Sequence, residues 1–165
     1  KADAREYLRT SVGFPKETMS AGDMYRYATT ISALVRNSAS YDLNTPSMPE
    51  DAEDFALWFL RESDTGYCVH YASATAVLLR AAGIPARYVT GYMTPVGKDC
   101  HTMVREQDAH AWAEYYVTGI GWIPLESTAG DRYSGTPPVA PSTASDPSQD
   151  TTAAPTFPLQ QPREA

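Results

Sequence analysis

Apolar residues recur on two different periods along this chain, and the change from one to the other comes after Gly83. Before it the spacing is helical. Ala2 to Arg9 reads as a short helix, and Met24, Tyr27, Ala28, Ile31, Leu34 and Val35 predict a second over Met24 to Val35. Phe55, Phe59 and Leu60 mark a third. The loop YDLNTPSMPED leads into it, where Asn44, two prolines and the acidic pair Glu50 and Asp51 signal a turn and a helix start. Val69, Ala72, Ala76 and Leu79 form a fourth stripe, stopped by Gly83 and Pro85. That helix runs for about four turns and opens at Cys68. Beyond it the segments turn β-branched and aromatic, predicting strands over Ala86 to Met93, Thr102 to Glu106, Ala109 to Val117 and Trp122 to Leu125. Helices followed by strands on short turns predict an α+β domain with helices packed on an antiparallel sheet. In the strand AHAWAEYYV, His110, Trp112, Glu114 and Tyr116 share one face. Ala111, Ala113, Tyr115 and Val117 share the other, where the small residues would admit a closely packed helix.

Composition divides the chain once more. From Ser134 to Ala165, Pro, Ala, Ser and Thr supply 21 of 32 residues and Phe157 is the only aromatic, too little to bury an ordered core. This stretch is expected to be a disordered linker, leaving 1–133 as the domain. With 42% apolar residues over its whole length, the chain can fill a core. The net charge of −7, with no basic run, argues against a nucleic-acid partner. No apolar run is long enough to span a bilayer, and no signal segment opens the chain. A start at Lys1 without an initiator Met, together with the tail, suggests a segment of a longer protein, expected to be monomeric as a fragment.

The candidate chemistry centres on Cys68. At a helix start, unpaired N–H groups and the helix dipole favour the thiolate. A nucleophilic cysteine needs a base, and the base an orienting group. His70 lies two residues on, roughly 200° around the helix axis, and points away. His101 follows Cys100 in a predicted strand, so those two side chains leave on opposite faces. His110 starts the alternating strand. In the next strand, after the Gly119-Ile120-Gly121 turn, Trp122, Pro124 and Glu126 share a face. Direct opposition of His110 and Glu126 requires a hairpin centred near Thr118, whereas the glycines indicate a centre one or two residues later, calling for a bulge or wide loop.

Three blocks carry a resemblance. Gly66-Tyr67-Cys68 with its alanine-rich helix and GIPARYVTGY, then His110-Ala111-Trp112-Ala113-Glu114, then Gly121-Trp122-Ile123-Pro124-Leu125-Glu126-Ser127-Thr128 resemble the transglutaminase-like superfamily over about Phe14 to Gly130. They resemble in particular its bacterial branch of extracytoplasmic domains in multi-span membrane proteins. The resemblance implies a papain-like core with Cys68 as nucleophile, His110 as general base and acid, and Glu126 in a third position where many members carry Asp. It also implies membrane spans outside this segment, a protein or peptide substrate and no cofactor. The expected reaction is acyl transfer through a Cys68 thioester, from a glutamine carboxamide to an amine, with the Cys68 backbone N–H as one oxyanion donor.

Other readings use the same residues. The triad could serve a cysteine peptidase or amidase, with water resolving the thioester, or the fold could be a binding module without turnover. Cys68, His70, Cys100, His101 and His110 supply enough ligands for a metal, though not at the usual zinc spacings. Glu126 could instead pair with Arg87 or Arg105, Trp112 and Trp122 could serve packing alone, and a Cys68–Cys100 bridge would silence the thiol.

Overall fold

Polar caps begin two of the helices. Ser20 Oγ accepts the Asp23 N–H at 3.1 Å while the Asp23 carboxylate accepts the Ser20 N–H at 3.3 Å, a reciprocal box. The helix it opens, α2 (Ala21–Arg36), therefore starts before the apolar stripe does. Asp54, rather than Glu50 or Asp51, caps α3 (Phe55–Arg61) by accepting the Leu57 N–H at 3.0 Å. These elements belong to a computed structural model that describes residues 2–94 and 101–130. The other described helices are α1 (Ala2–Ser11) and α4 (Cys68–Ala81). Cys100 and the 134–165 segment lie outside the described residues.

Three strands make the main sheet, β3 (Ala86–Tyr92), β4 (Ala109–Val117) and β5 (Gly121–Leu125), in the order β3-β4-β5 and all antiparallel. The alternation along β4 holds: Ala111, Ala113, Tyr115 and Val117 are buried. Ala74 and Leu78 of α4 join Ala86, Tyr115, Val117 and Leu125 of the sheet in one apolar core with Phe59, Tyr71 and Ile84. Helices in the first half, packed on an antiparallel sheet from the second, make the α+β fold expected of a papain-like, transglutaminase-like core.

Two details depart from the sequence reading. Thr102 to Glu106 is not a strand. Met103 and Val104 are adjacent and both exposed, so no alternation buries one face, and the segment ends in a short 3-10 turn, Glu106–Asp108. Earlier in the chain, β1 (Ser40–Tyr41) and β2 (Thr65–Gly66) form a parallel bridge two residues long, too short to carry a periodic signal. Its bonds, Ser40 N–H to Asp64 O at 2.9 Å and Asp42 N–H to Gly66 O at 2.8 Å, fix the chain just before Cys68.

Candidate active site

The approach to Cys68 is tightly packed. A Cβ on Gly66 would sit 2.5 Å from the Phe59 ring, so only glycine fits beneath it. Tyr67 then takes the extended N-cap conformation and Cys68 becomes the first helical residue of α4. His70 turns away from the sulfur, as its helical position requires. Its ring packs among Phe55, Trp58, Phe59 and Tyr67, and its Nδ1 accepts the Tyr67 N–H at 3.4 Å. Burial lowers its pKa, with the Tyr67 contact opposing, so His70 is a neutral structural group. His101 is exposed and outside any strand. Among the described residues no cluster of His, Cys, Asp and Glu is arranged to hold a metal ion.

His110, by contrast, is buried and shares a hydrogen bond with the Cys68 thiol. Its Nε2 lies 2.5 Å from Glu126 Oε2, which leaves Nδ1 as the nitrogen for the sulfur. The structure thus brings Cys68, His110 and Glu126 together in that order. Arg87 does not compete for Glu126: its guanidinium pairs with Glu114 at 2.6 Å and lies over the Trp122 ring at 4.2 Å.

The hairpin explains how the histidine and the carboxylate meet. Val117 pairs with Gly121 and Ala113 with Leu125, so the turn is centred on Gly119 with neither bulge nor wide loop. Continuing that register sets Glu126 opposite Trp112 and diagonal to His110 on the same face. Diagonal positions are roughly 7–8 Å apart, within reach of a long side chain. The extra methylene of glutamate suits this offset. Its second oxygen, Oε1, accepts the Thr128 N–H at 2.7 Å.

Glu126 lies past the end of β5, where the sheet no longer engages its carbonyl. One helical turn of α2 does so instead: Ser32 Oγ donates to Glu126 O at 2.7 Å, and Arg36 Nη2 donates to the same atom at 3.1 Å. Sequence reasoning missed this clamp. The one available hint was a serine, Ser32, at helical spacing within the otherwise apolar stripe of Ala28, Ile31 and Val35. Trp112 stacks on His110, with ring centroids 6.2 Å apart and planes 19° off parallel, and its edge lies over Gly91, where a Cβ would approach within 2.8 Å.

The electrostatics follow from these contacts. Burial acts to raise the Cys68 pKa, but the His110 hydrogen bond and charge, with main-chain N–H groups of Ala111 and Val69, outweigh it and hold the thiol below its ordinary value. Burial likewise opposes charge on His110, yet the hydrogen bonds and negative charges of Cys68 and Glu126 raise it to about 9. On Glu126 burial works upward and loses to His110 and Thr128, so the carboxylate stays ionised. The arrangement favours a thiolate–imidazolium pair oriented by a carboxylate.

A family model described as "Transglutaminase-like superfamily" matches residues 13–127. A protein-glutamine gamma-glutamyltransferase of Pseudomonas aeruginosa is 42% identical over 93 residues, covering 54% of this chain and 13% of that protein. The chain thus spans only a small part of the curated relatives it matches. The crystal structure of the periplasmic domain of TgpA from P. aeruginosa superposes with a TM-score of 0.58 at 30% identity, covering 76% of this chain and 41% of that one. A putative cysteine protease from Cytophaga hutchinsonii gives 0.54 at 25% identity, over 77% of this chain and 37% of that one. The family match spans both strands and the helix that meet at Cys68, His110 and Glu126, and by it the chain belongs to the transglutaminase-like superfamily.

Proposed function

We propose that this domain catalyses thiol-dependent acyl transfer, with Cys68 as nucleophile, His110 as general base and acid, and Glu126 orienting the imidazole. The observation that carries the reading is a single buried ring bonded to a helix-start thiol on one side and to a carboxylate on the other. In this mechanism the Cys68 thiolate attacks a glutamine carboxamide carbon. The oxyanion is received by the Cys68 main-chain N–H, one of the first-turn groups without an intrahelical acceptor. As the tetrahedral intermediate collapses, the imidazolium protonates the departing nitrogen and ammonia leaves behind a thioester. An amine then attacks the thioester, gives its proton to His110 and restores the pair.

The activity for which the P. aeruginosa relative is named supports transfer to an amine, and this chain's likeness to a periplasmic domain supports a place on the extracytoplasmic side of a bacterial membrane. Among the described residues no helix is long and apolar enough to cross a membrane. On this reading 134–165 is a linker, membrane spans lie elsewhere in the full protein, and the substrate is a protein or peptide.

Iodoacetamide should modify Cys68 rapidly and selectively, and His110→Ala should slow that reaction. Equal alkylation rates in the two proteins would refute the ion pair. Incubating a glutaminyl peptide with and without a primary amine then separates transfer from hydrolysis, since glutamate as the sole product would identify a hydrolase.

A further inference from the structure

A cavity of about 250 Å³ opens beside the His110–Glu126 pair, lined by Tyr92, Met93, Trp112, Pro124 and Glu126. Four of the five walls are apolar or aromatic and the fifth is a carboxylate. Trp112 is a fixed wall, held between the His110 ring it stacks on and the Gly91 backbone beneath it. Tyr92 and Met93 form the outer rim at 61% and 43% exposure. Covering them with an apolar group would remove their nonpolar surface from water.

The chemistry of the site says which part of a substrate runs this way. His110 must reach the nitrogen that leaves and, later, the nitrogen that enters, so both pass on the imidazole side of the sulfur. The acyl group stays on the helix-end side, with its oxygen toward the Cys68 N–H. Substituents on the entering nitrogen therefore extend past the ring toward Trp112 and the cavity. Resting on the acyl-transfer reading above, we infer that this cavity is an acceptor subsite that holds the apolar, preferentially aromatic, body of the incoming amine. The Glu126 carboxylate in its wall selects against amines carrying an acid group. In the step itself the amine lone pair attacks the thioester carbon, the C–N bond forms and the C–S bond breaks. The proton from nitrogen passes to His110 and sulfur leaves as the thiolate, giving an amide.

The test compares two acceptors with the same reacting group, phenethylamine and methylamine, on a fixed glutaminyl dipeptide donor. The wild type should prefer phenethylamine in kcat/KM, and Tyr92→Ala and Met93→Ala should each cut that ratio by about five- to tenfold. Both residues are substantially exposed, so neither substitution threatens folding. A wild type without the preference, or a preference that survives both substitutions, would overturn the subsite and leave acyl transfer intact. Failure to form either amide with wild-type protein would instead overturn the transfer reading and the subsite with it.

Discussion

Replacing Glu126 by Gln keeps the length and shape of the side chain and removes its charge, so it isolates what the carboxylate does for His110. The imidazole stands at about 9 against an ordinary value near 6.5, with Glu126 and Cys68 both pulling upward against burial. Hydrogen bonds to charged groups contribute about 1.5–3 kcal/mol and neutral ones about 0.5–1.5. The substitution should therefore cost the imidazolium about 1–1.5 kcal/mol, which at about 1.4 kcal/mol per unit is close to one pKa unit. Only one of the two titrations of the pair shifts. Losing the negative charge destabilises the imidazolium equally whether Cys68 is thiol or thiolate, so the lower, thiol titration stays nearly in place. The upper titration moves toward acid. An NMR titration should accordingly show the His110 ring deprotonating about one pH unit earlier, while His70 serves as an internal reference. The alkaline limb of kcat/KM should shift by the same amount, because the general acid is lost sooner, and the acid limb should hold. A folded Glu126→Gln protein with the wild-type His110 titration would refute the orienting role of the carboxylate.

Two further substitutions probe the supports of the site. Ser32→Ala deletes one of the two donors on the Glu126 carbonyl and should lower kcat/KM by roughly three- to tenfold, the equivalent of one ordinary hydrogen bond, with Ser32→Thr restoring it; a lowered melting temperature with unchanged kcat/KM would make the contact structural only. Gly91→Ala drives a methyl group into the Trp112 ring and should cost about 1–3 kcal/mol in denaturant unfolding, so an unshifted midpoint would refute the close approach.

Much of this architecture is legible in the chain because it rests on local period. The strand Ala109–Val117 follows from its alternation, and the α4 start at Cys68 follows from its apolar stripe and the Gly83-Pro85 stop. The Cys68–His110–Glu126 constellation is readable as a set of motif blocks. What the sequence hides is long-range or too short to repeat. Ser32 and Arg36 meet Glu126 across 94 and 90 residues, and nothing near either end of those contacts announces the other. The β1–β2 bridge has two residues per strand, and Met103 with Val104 imitates a strand while belonging to neither sheet among the described residues. Glu126 falls between these cases. Its face could be read from the alternation, but whether it meets His110 directly or diagonally depends on the turn.

That dependence makes a distant turn part of the site. Gly119 and Gly121 take φ values of +83° and +112°, a conformation that other residues adopt only with strain. Together they set the Val117–Gly121 pairing from which every later register on β5 follows. A slip of one residue would carry Glu126 to the opposite face of the sheet, toward α4 and away from His110. A slip of two would keep the face but move the carboxylate by two positions along β4, either directly opposite His110 or away to Glu114, instead of diagonal to the imidazole. The Ser32–Arg36 clamp acts at the other end of the same strand, gripping the carbonyl at the point where sheet bonding stops. The glycine turn sets where Glu126 falls along β4, and α2 holds it there. The thiol at the helix start depends on both, since only an imidazole with its Nε2 engaged keeps Nδ1 directed at the sulfur.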